Sequence, residues 1–216
     1  MSQMASVSPP QGNVAKASRL ISFLWWAMLL SSLGVSFYAT RYFILPTQDA
    51  HFARYLLPLR LHVAGGIGAL VLGPWQFSQR LRARAPNVHR CLGRFYLLSV
   101  ALGSVAGFAM ATVSEEGPAT HFGFSLLAAL WFFTGLQAYR RIRQGDIDAH
   151  RRWMIRNFAL SLAAVTLRNE LPLMLFALHW PFHISYTIVS WLCWIPNLLV
   201  AEWLIARRIR ALPQAT

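Results

Sequence analysis

Six long apolar runs dominate the sequence, at approximately residues 21–40, 59–79, 91–112, 120–139, 153–177 and 184–206. A helix needs about 20 apolar residues to cross a bilayer core of about 30 Å, and each run meets that length. Lipid offers the backbone no hydrogen bonds, so the runs are expected to be helices; a barrel would show segments of alternating hydropathy. The sequence therefore predicts an all-α, polytopic membrane protein with six transmembrane helices, here called spans one to six.

The composition supports this class and excludes others. Hydrophobic residues make up 56% of the chain and charged residues 12%, which leaves too little polar surface for a soluble domain. The net charge of +13 comes from nineteen Arg and one Lys, clustered between the apolar runs rather than spread over one polar face. This distribution excludes a nucleic-acid partner and indicates the lipid bilayer as the partner of the chain.

The basic residues also predict an orientation. With the N-terminus inside, sixteen of the twenty lie on the inner side, Arg41, Arg54 and Arg60 lie in an outer loop, and Arg168 lies within span five. The positive-inside rule then places both termini in the cytoplasm. Residues 1–18 are expected to form a disordered tail and 211–216 a short cytoplasmic end, so the transmembrane domain covers 19–210.

Spans two to five contain an internal repeat. Two helical hairpins, at about 58–115 and 117–178, carry histidines in matching positions: His62 and His121 at the outer ends of spans two and four, and His89 and His150 just before spans three and five on the inner side. A pseudo-two-fold axis along the membrane normal would relate the hairpins and make a four-helix bundle. That axis would bring His62 to His121 and His89 to His150.

Two facing imidazoles in an apolar bundle suit the axial ligation of b-type haem, so the repeat predicts two haem b sites. Glycines at 65, 66, 68 and 123 could make room for the flat macrocycle. Arginine forks match carboxylates, which predicts partners for the haem propionates. These are Arg90, Arg94, Arg151, Arg152 and Arg156 for the inner haem and Arg168 for the outer one.

Each of these predicted haem-site residues also has a simpler interpretation. Histidines and arginines at helix ends often lie at the lipid headgroups, and small residues such as Ser99, Gly103 and Gly107 often serve close helix packing. Arg168, in the segment 168–170, could form an ion pair with Glu170, Glu115 or Glu116 instead of binding a cofactor. Glu202 is expected to pair with Arg207 or Arg208, and Pro172 to kink span five and widen a cavity there.

The segments that carry these residues resemble a family of bacterial membrane proteins grouped as domain of unknown function 2306. The resemblance covers about 55–170 and rests on 89–94, 150–156, His62, Gln76 and 166–168. It implies a multi-pass protein of the bacterial inner membrane without an established activity. A more distant similarity is to transmembrane di-haem b-type cytochromes, which implies His62 with His121 and His89 with His150 as ligand pairs. In that comparison His89 and His150 stand at the very start of their helices, rather than a turn or two inside.

Four functions stay open at this point. The first is an electron carrier or oxidoreductase subunit with a redox partner or a quinone. The second is a copper-type, non-haem metal-handling protein, since imidazole also suits copper. The third is a non-enzymatic accessory or scaffold subunit. The fourth is an intramembrane lyase or cyclase, for which Glu170 is the one candidate acid.

Overall fold

The computed structural model of the protein describes residues 11–45 and 53–210, and over these ranges every regular element is helical. Within them, six helical stretches are long and apolar enough to cross a membrane: Ser22–Ile44, Leu56–Gln76, Pro86–Thr112, Pro118–Arg143, Ile147–Ala177 and Phe182–Arg207. The predicted all-α fold with six spans is confirmed. Below, spans one to six refer to these ranges.

The individual helices follow the spans closely. They are α1 (Gln11–Ala39), α2 (Arg41–Ile44), α3 (Leu56–Gln76), α4 (Gln79–Arg84), α5 (Pro86–Thr112), α6 (Pro118–Arg143), α7 (Ile147–Ser161), α8 (Ala163–Pro172), α9 (Phe182–Leu192) and α10 (Ile195–Arg210). A π-helical segment, Leu173–Ala177, continues α8 directly after Pro172, where the sequence predicts a disturbed helix. Helix α1 begins inside the predicted tail; residues 1–10 and 211–216 lie outside the described ranges.

Spans three and five begin one to two turns earlier than their apolar runs suggest. Helix α5 starts at Pro86, in the first helical turn where a missing N–H costs nothing. Helix α7 starts after Asp146, whose side chain accepts a hydrogen bond from the Ala149 N–H at 2.9 Å. The expectation that His89 and His150 precede their spans is therefore wrong. Each histidine is the fourth residue of its helix.

The packing order agrees with the predicted four-helix bundle. Span two packs on span three, three on four and four on five, and span five closes the ring against span two. Spans two and four are thus diagonal to each other, as are spans three and five. Span one covers spans two and five, while span six covers spans four and five. The two-fold relation of the hairpins stays a prediction.

The closest helix contact joins spans two and three, and small residues make it possible. A Cβ on Gly65 would lie only 2.4 Å from the Gly103 backbone nitrogen, and one on Gly68 would lie 2.3 Å from the Ser99 hydroxyl. Close approach through small side chains is the ordinary basis of helix association in membranes. Gly65 and Gly68 therefore face span three, and Gly123 faces Ser190 of span six, so these glycines serve helix packing.

Candidate functional site

A buried layer of polar and aromatic side chains fills the centre of the bundle. The Tyr96 hydroxyl, on span three, donates to Asn157 Oδ1, on span five, at 2.6 Å. Asn157 Nδ2 in turn donates to the Trp131 carbonyl at 2.7 Å and to Thr134 Oγ1 at 2.9 Å. Tyr96 and Asn157 are both 0% exposed. Hydrogen bonds across the bundle thus hold the two diagonal spans together at this level.

The same diagonal brings His89 and His150 to one end of the bundle. His89 lies seven residues before Tyr96, and His150 seven residues before Asn157. Two helical turns return a side chain to the same face and raise it by about 10 Å. Both histidines therefore lie on the inward faces of spans three and five, and they are within electrostatic range of each other. We call this the arginine-rich end, because the helix termini around it carry the arginine clusters.

The two rings differ in their hydrogen bonds. His150 Nδ1 lies 2.8 Å from the Ala138 carbonyl of span four, and among the described residues no hydrogen bond to its Nε2 atom is found. His89 Nδ1 is buried and has no hydrogen-bond partner. Gln76, at the adjoining end of span two, also has a buried side-chain nitrogen without a partner, and its side-chain oxygen lies against Gly93. Unsatisfied buried polar atoms are rare, so this cluster is a candidate binding site.

Two of the predicted arginine partners are exposed, and two are paired with carboxylates. Arg90 and Arg94 are exposed near His89. Arg151 pairs with Asp148 at 3.2 Å on the surface. Arg156 makes a bidentate ion pair with Glu202 of span six, at 2.5 and 2.8 Å, and its guanidinium lies over the Trp153 ring.

Glu202 was expected to pair with Arg207 or Arg208; no ion pair with Arg207 is found, and the Arg208 side chain lies outside the described residues. Glu202 lies on α10 beside span five and reaches Arg156 instead. The sequence suggested partners close to Glu202 on its own helix. Spans five and six pack together, however, and this contact brings Arg156 to Glu202. Of the predicted propionate partners, Arg156 is thus already engaged by a carboxylate of the protein itself.

At the opposite end, His62 and His121 have separate surroundings. His62 Nδ1 lies 2.8 Å from the Gly103 carbonyl, and its ring occupies the space beside Gly107, both on span three. His121 is bonded through Nε2 to the Ser114 carbonyl, in the loop that precedes its own helix. The two histidines belong to diagonal spans with span three packed between them. Gly107 thus provides the recess for the His62 ring.

Arg168 lies near this second end, in the half of span five that is away from His150. Its Nη1 donates to the Ala164 carbonyl at 2.9 Å, while its Nε is buried without a partner. Within residues 11–45 and 53–210, no carboxylate lies within ion-pair distance of Arg168, so the expected pair with Glu170, Glu115 or Glu116 is not found. The buried Glu170 Oε2 also lacks a partner.

The sequence analysis missed Tyr96 and Asn157 as determinants of the site. One signal was available, since both follow a repeat histidine by seven residues and so share its helix face. A polar residue on the inward face of a span is costly unless it is bonded, which marks Asn157 as structurally important.

Comparison with known protein families supports the resemblance seen in the sequence. The family of predicted membrane proteins named DUF2306 matches residues 59–205, which is most of the chain and includes spans three to five in full. This protein belongs to the DUF2306 family. It is an integral membrane protein. No curated protein and no solved structure matches the DUF2306 chain.

The two histidine pairs of this DUF2306 protein differ in their surroundings. At the arginine-rich end, His89 and His150 share the inward face and lie within electrostatic range of each other. At the other end, His62 contacts the Gly103 carbonyl of span three, and His121 contacts the Ser114 carbonyl before its own helix. Within the described residues no group of three or more His, Cys, Asp or Glu could hold a metal ion.

Proposed function

We propose that this DUF2306 protein is a membrane electron-transfer subunit that binds a b-type haem between His89 and His150. The observation that carries the proposal is the placement of both histidines on the inward faces of diagonal spans joined by the Tyr96–Asn157 bond. Bis-imidazole ligation from facing helices is an established way to hold haem in a bundle. A haem bound there supplies one-electron chemistry, since its iron alternates between the ferric and ferrous states.

The surrounding residues support this assignment by their chemistry. His150 Nδ1–H can donate a hydrogen bond to the Ala138 carbonyl, which leaves Nε2 available to a metal, as outer partners of ligating histidines commonly do. Arg90 and Arg94 are free of acidic partners in the described structure and offer guanidinium forks for carboxylates. His89, with its unbonded buried nitrogen, gains a partner when a ligand is bound.

The proposal places the stronger site at the arginine-rich end. Sequence similarity to the di-haem cytochromes favoured the opposite end, because His89 and His150 stood too close to their helix starts. Helices α5 and α7 begin three residues before these histidines, so each histidine belongs to the first turn of its helix, and the proposal rests on their shared inward face. A second haem, at His62 and His121, stays a prediction that the spectrum described next also tests.

The test is an absorption spectrum of the full chain purified from haem-replete cells. We expect a reduced-minus-oxidised spectrum typical of b-type haem, and His89→Ala or His150→Ala should remove the component that belongs to this pair. His183→Ala, at an exposed position of α9, is the matched control and should keep the spectrum. If the second site also binds, His62→Ala removes one spectral component and leaves the other. A colourless protein that takes up no added haemin would refute the proposal.

A second candidate function is a non-enzymatic accessory subunit. The observation in its favour is that three of the four repeat histidines, His62, His121 and His150, contact backbone carbonyls and so have a structural use. His150→Asn separates the two functions, because the Asn amide can still donate near the Nδ1 position but cannot replace an imidazole ligand. If His150 has only a structural role, the variant should match wild type in stability and in haem content. If His150 is a ligand, the variant should lose the haem.

A further inference from the structure

Arg41 and Arg168 share one tyrosine at the outer end of the protein. The guanidinium carbon of Arg41 lies 4.2 Å from the centroid of the Tyr38 ring, and that of Arg168 lies 5.9 Å from the same centroid. The two guanidinium groups are therefore within about 10 Å of each other. Arg41 ends span one, whereas Arg168 comes from span five, so the pair spans the contact between these helices.

Both members of this pair carry a positive charge. Neither arginine forms an ion pair with a carboxylate of the described residues. Arg41 donates to the Tyr42 hydroxyl at 3.3 Å, and Arg168 donates to the Ala164 carbonyl. A guanidinium has five N–H donors, so most of the donors of both groups have no protein acceptor.

A cation within a span is costly and is normally compensated by a partner. Arg168 meets that description, since its Nε is buried and unbonded while the hydroxyl-bearing rings of Tyr38, Tyr42 and Tyr186 lie within electrostatic range. Guanidinium groups only donate hydrogen bonds, and the tyrosine hydroxyls are uncharged. Within the described residues no carboxylate pairs with either arginine, so an anion would complement this cluster.

We propose that Arg41, Arg168 and Tyr38 form a binding site for an oxyanion of the phosphate type, at the outer end of the bundle between spans one and five. Guanidinium groups bind phosphate oxygens through paired, charge-assisted hydrogen bonds. Tyr38 is 48% exposed and Arg41 is exposed, so the site opens to the surface, where a lipid headgroup or a free phosphate can enter. The site is independent of the haem proposal, because it uses neither His89 nor His150.

The test measures phosphate and lipid binding by the full chain in a neutral detergent. One arm adds inorganic phosphate, with chloride at equal ionic strength as reference, and follows the thermal unfolding midpoint. The other arm adds phosphatidylglycerol or phosphatidylcholine and counts the retained lipids by native mass spectrometry. Stabilisation by phosphate alone identifies a free anion as the ligand, and selective retention of phosphatidylglycerol identifies a headgroup. Both results support an oxyanion site.

The variants are Arg168→Gln and Arg41→Gln, with Arg54→Gln as the control. Arg54 is an exposed arginine, and its substitution removes the same charge at a residue for which no contact with the Tyr38 ring is found in the described structure. We expect either site variant to weaken binding about tenfold, whereas the control binds as wild type. Arg41→Gln keeps the test decisive if Arg168→Gln fails to fold, because Arg41 is exposed at a helix end. Equal binding by Arg41→Gln and wild type, or no binding of either probe, overturns the proposal.

Discussion

Replacing Asn157 by Leu should destabilise the bundle by about 2 kcal/mol. The side chain makes three buried hydrogen bonds, to Tyr96, Trp131 and Thr134, at 2.6 to 2.9 Å. Hydrogen bonds between membrane helices contribute about 0.6 kcal/mol each on average, and three of them give the stated total. Leucine has a similar volume, so the loss is assigned to the hydrogen bonds rather than to a cavity.

The coupling between Tyr96 and Asn157 is the sharper measurement. Tyr96→Phe removes one hydroxyl and should cost about 1 kcal/mol. In the double variant the shared bond is lost only once, so its total cost should fall short of the sum by about 0.6 to 1.7 kcal/mol. In Asn157→Leu, the Tyr96 hydroxyl can donate its hydrogen bond to the Ser161 hydroxyl, 3.3 Å away. The coupling energy should therefore lie in the lower part of that range.

The assay is equilibrium unfolding in mixed micelles with increasing dodecyl sulfate, followed by tryptophan fluorescence. The control cycle combines Asn157→Leu with Thr187→Val; Thr187 bonds to Thr120 at the outer end and shares no partner with Asn157. That pair should be additive within about 0.5 kcal/mol. If Tyr96→Phe and Asn157→Leu are additive to the same precision, the two side chains do not hold spans three and five together.

Three further outcomes are expected. Gly65→Ala should lower the unfolding midpoint in the same assay, because its Cβ would lie 2.4 Å from Gly103. Gly66→Ala, whose Cβ would have no atom within 4 Å, should leave stability unchanged or raise it. Equal effects of the two variants would contradict the close packing of spans two and three. Arg156→Gln should lower the unfolding midpoint, and adding Glu202→Gln should lower it no further, because both substitutions remove the same ion pair. Additive losses in the double variant would contradict that pairing. A reporter fused to the C-terminus should be active only in the cytoplasm, and activity on the outer side would refute the orientation drawn from the arginine clusters.

The sequence predicts the spans well because twenty apolar residues in a row have few other uses in a protein. It predicts helix starts less well, since α5 and α7 begin with polar turns that hydropathy does not mark. Pro86 and Asp146 were the available signals, because proline in a first turn and aspartate before one favour a helix start. With those turns included, His89 and His150 belong to the first turns of their helices instead of preceding them.

Side-chain partners were the least predictable level. His62 lies beside Gly107 because two helices approach closely there, and only the packed structure shows which glycine makes room for which ring. Glu202 reaches a neighbouring span rather than its own helix for the same reason. Periodicity indicates which residues share a face, as it does for His89 with Tyr96, but the choice of facing helix depends on the packing of all six spans.

The position of the Tyr96–Asn157 layer bears on the kind of transfer that the protein can support. The layer lies between the His89–His150 pair and the Arg168 end, and it is built from side chains that are fully buried and bonded to one another. An ion moving along the bundle axis would have to displace these side chains and lose its own hydration, which costs several kcal/mol in so apolar a place. An electron needs no open space and no change in these hydrogen bonds. A closed centre therefore disfavours ion movement along the bundle axis and is compatible with the electron-transfer function proposed above.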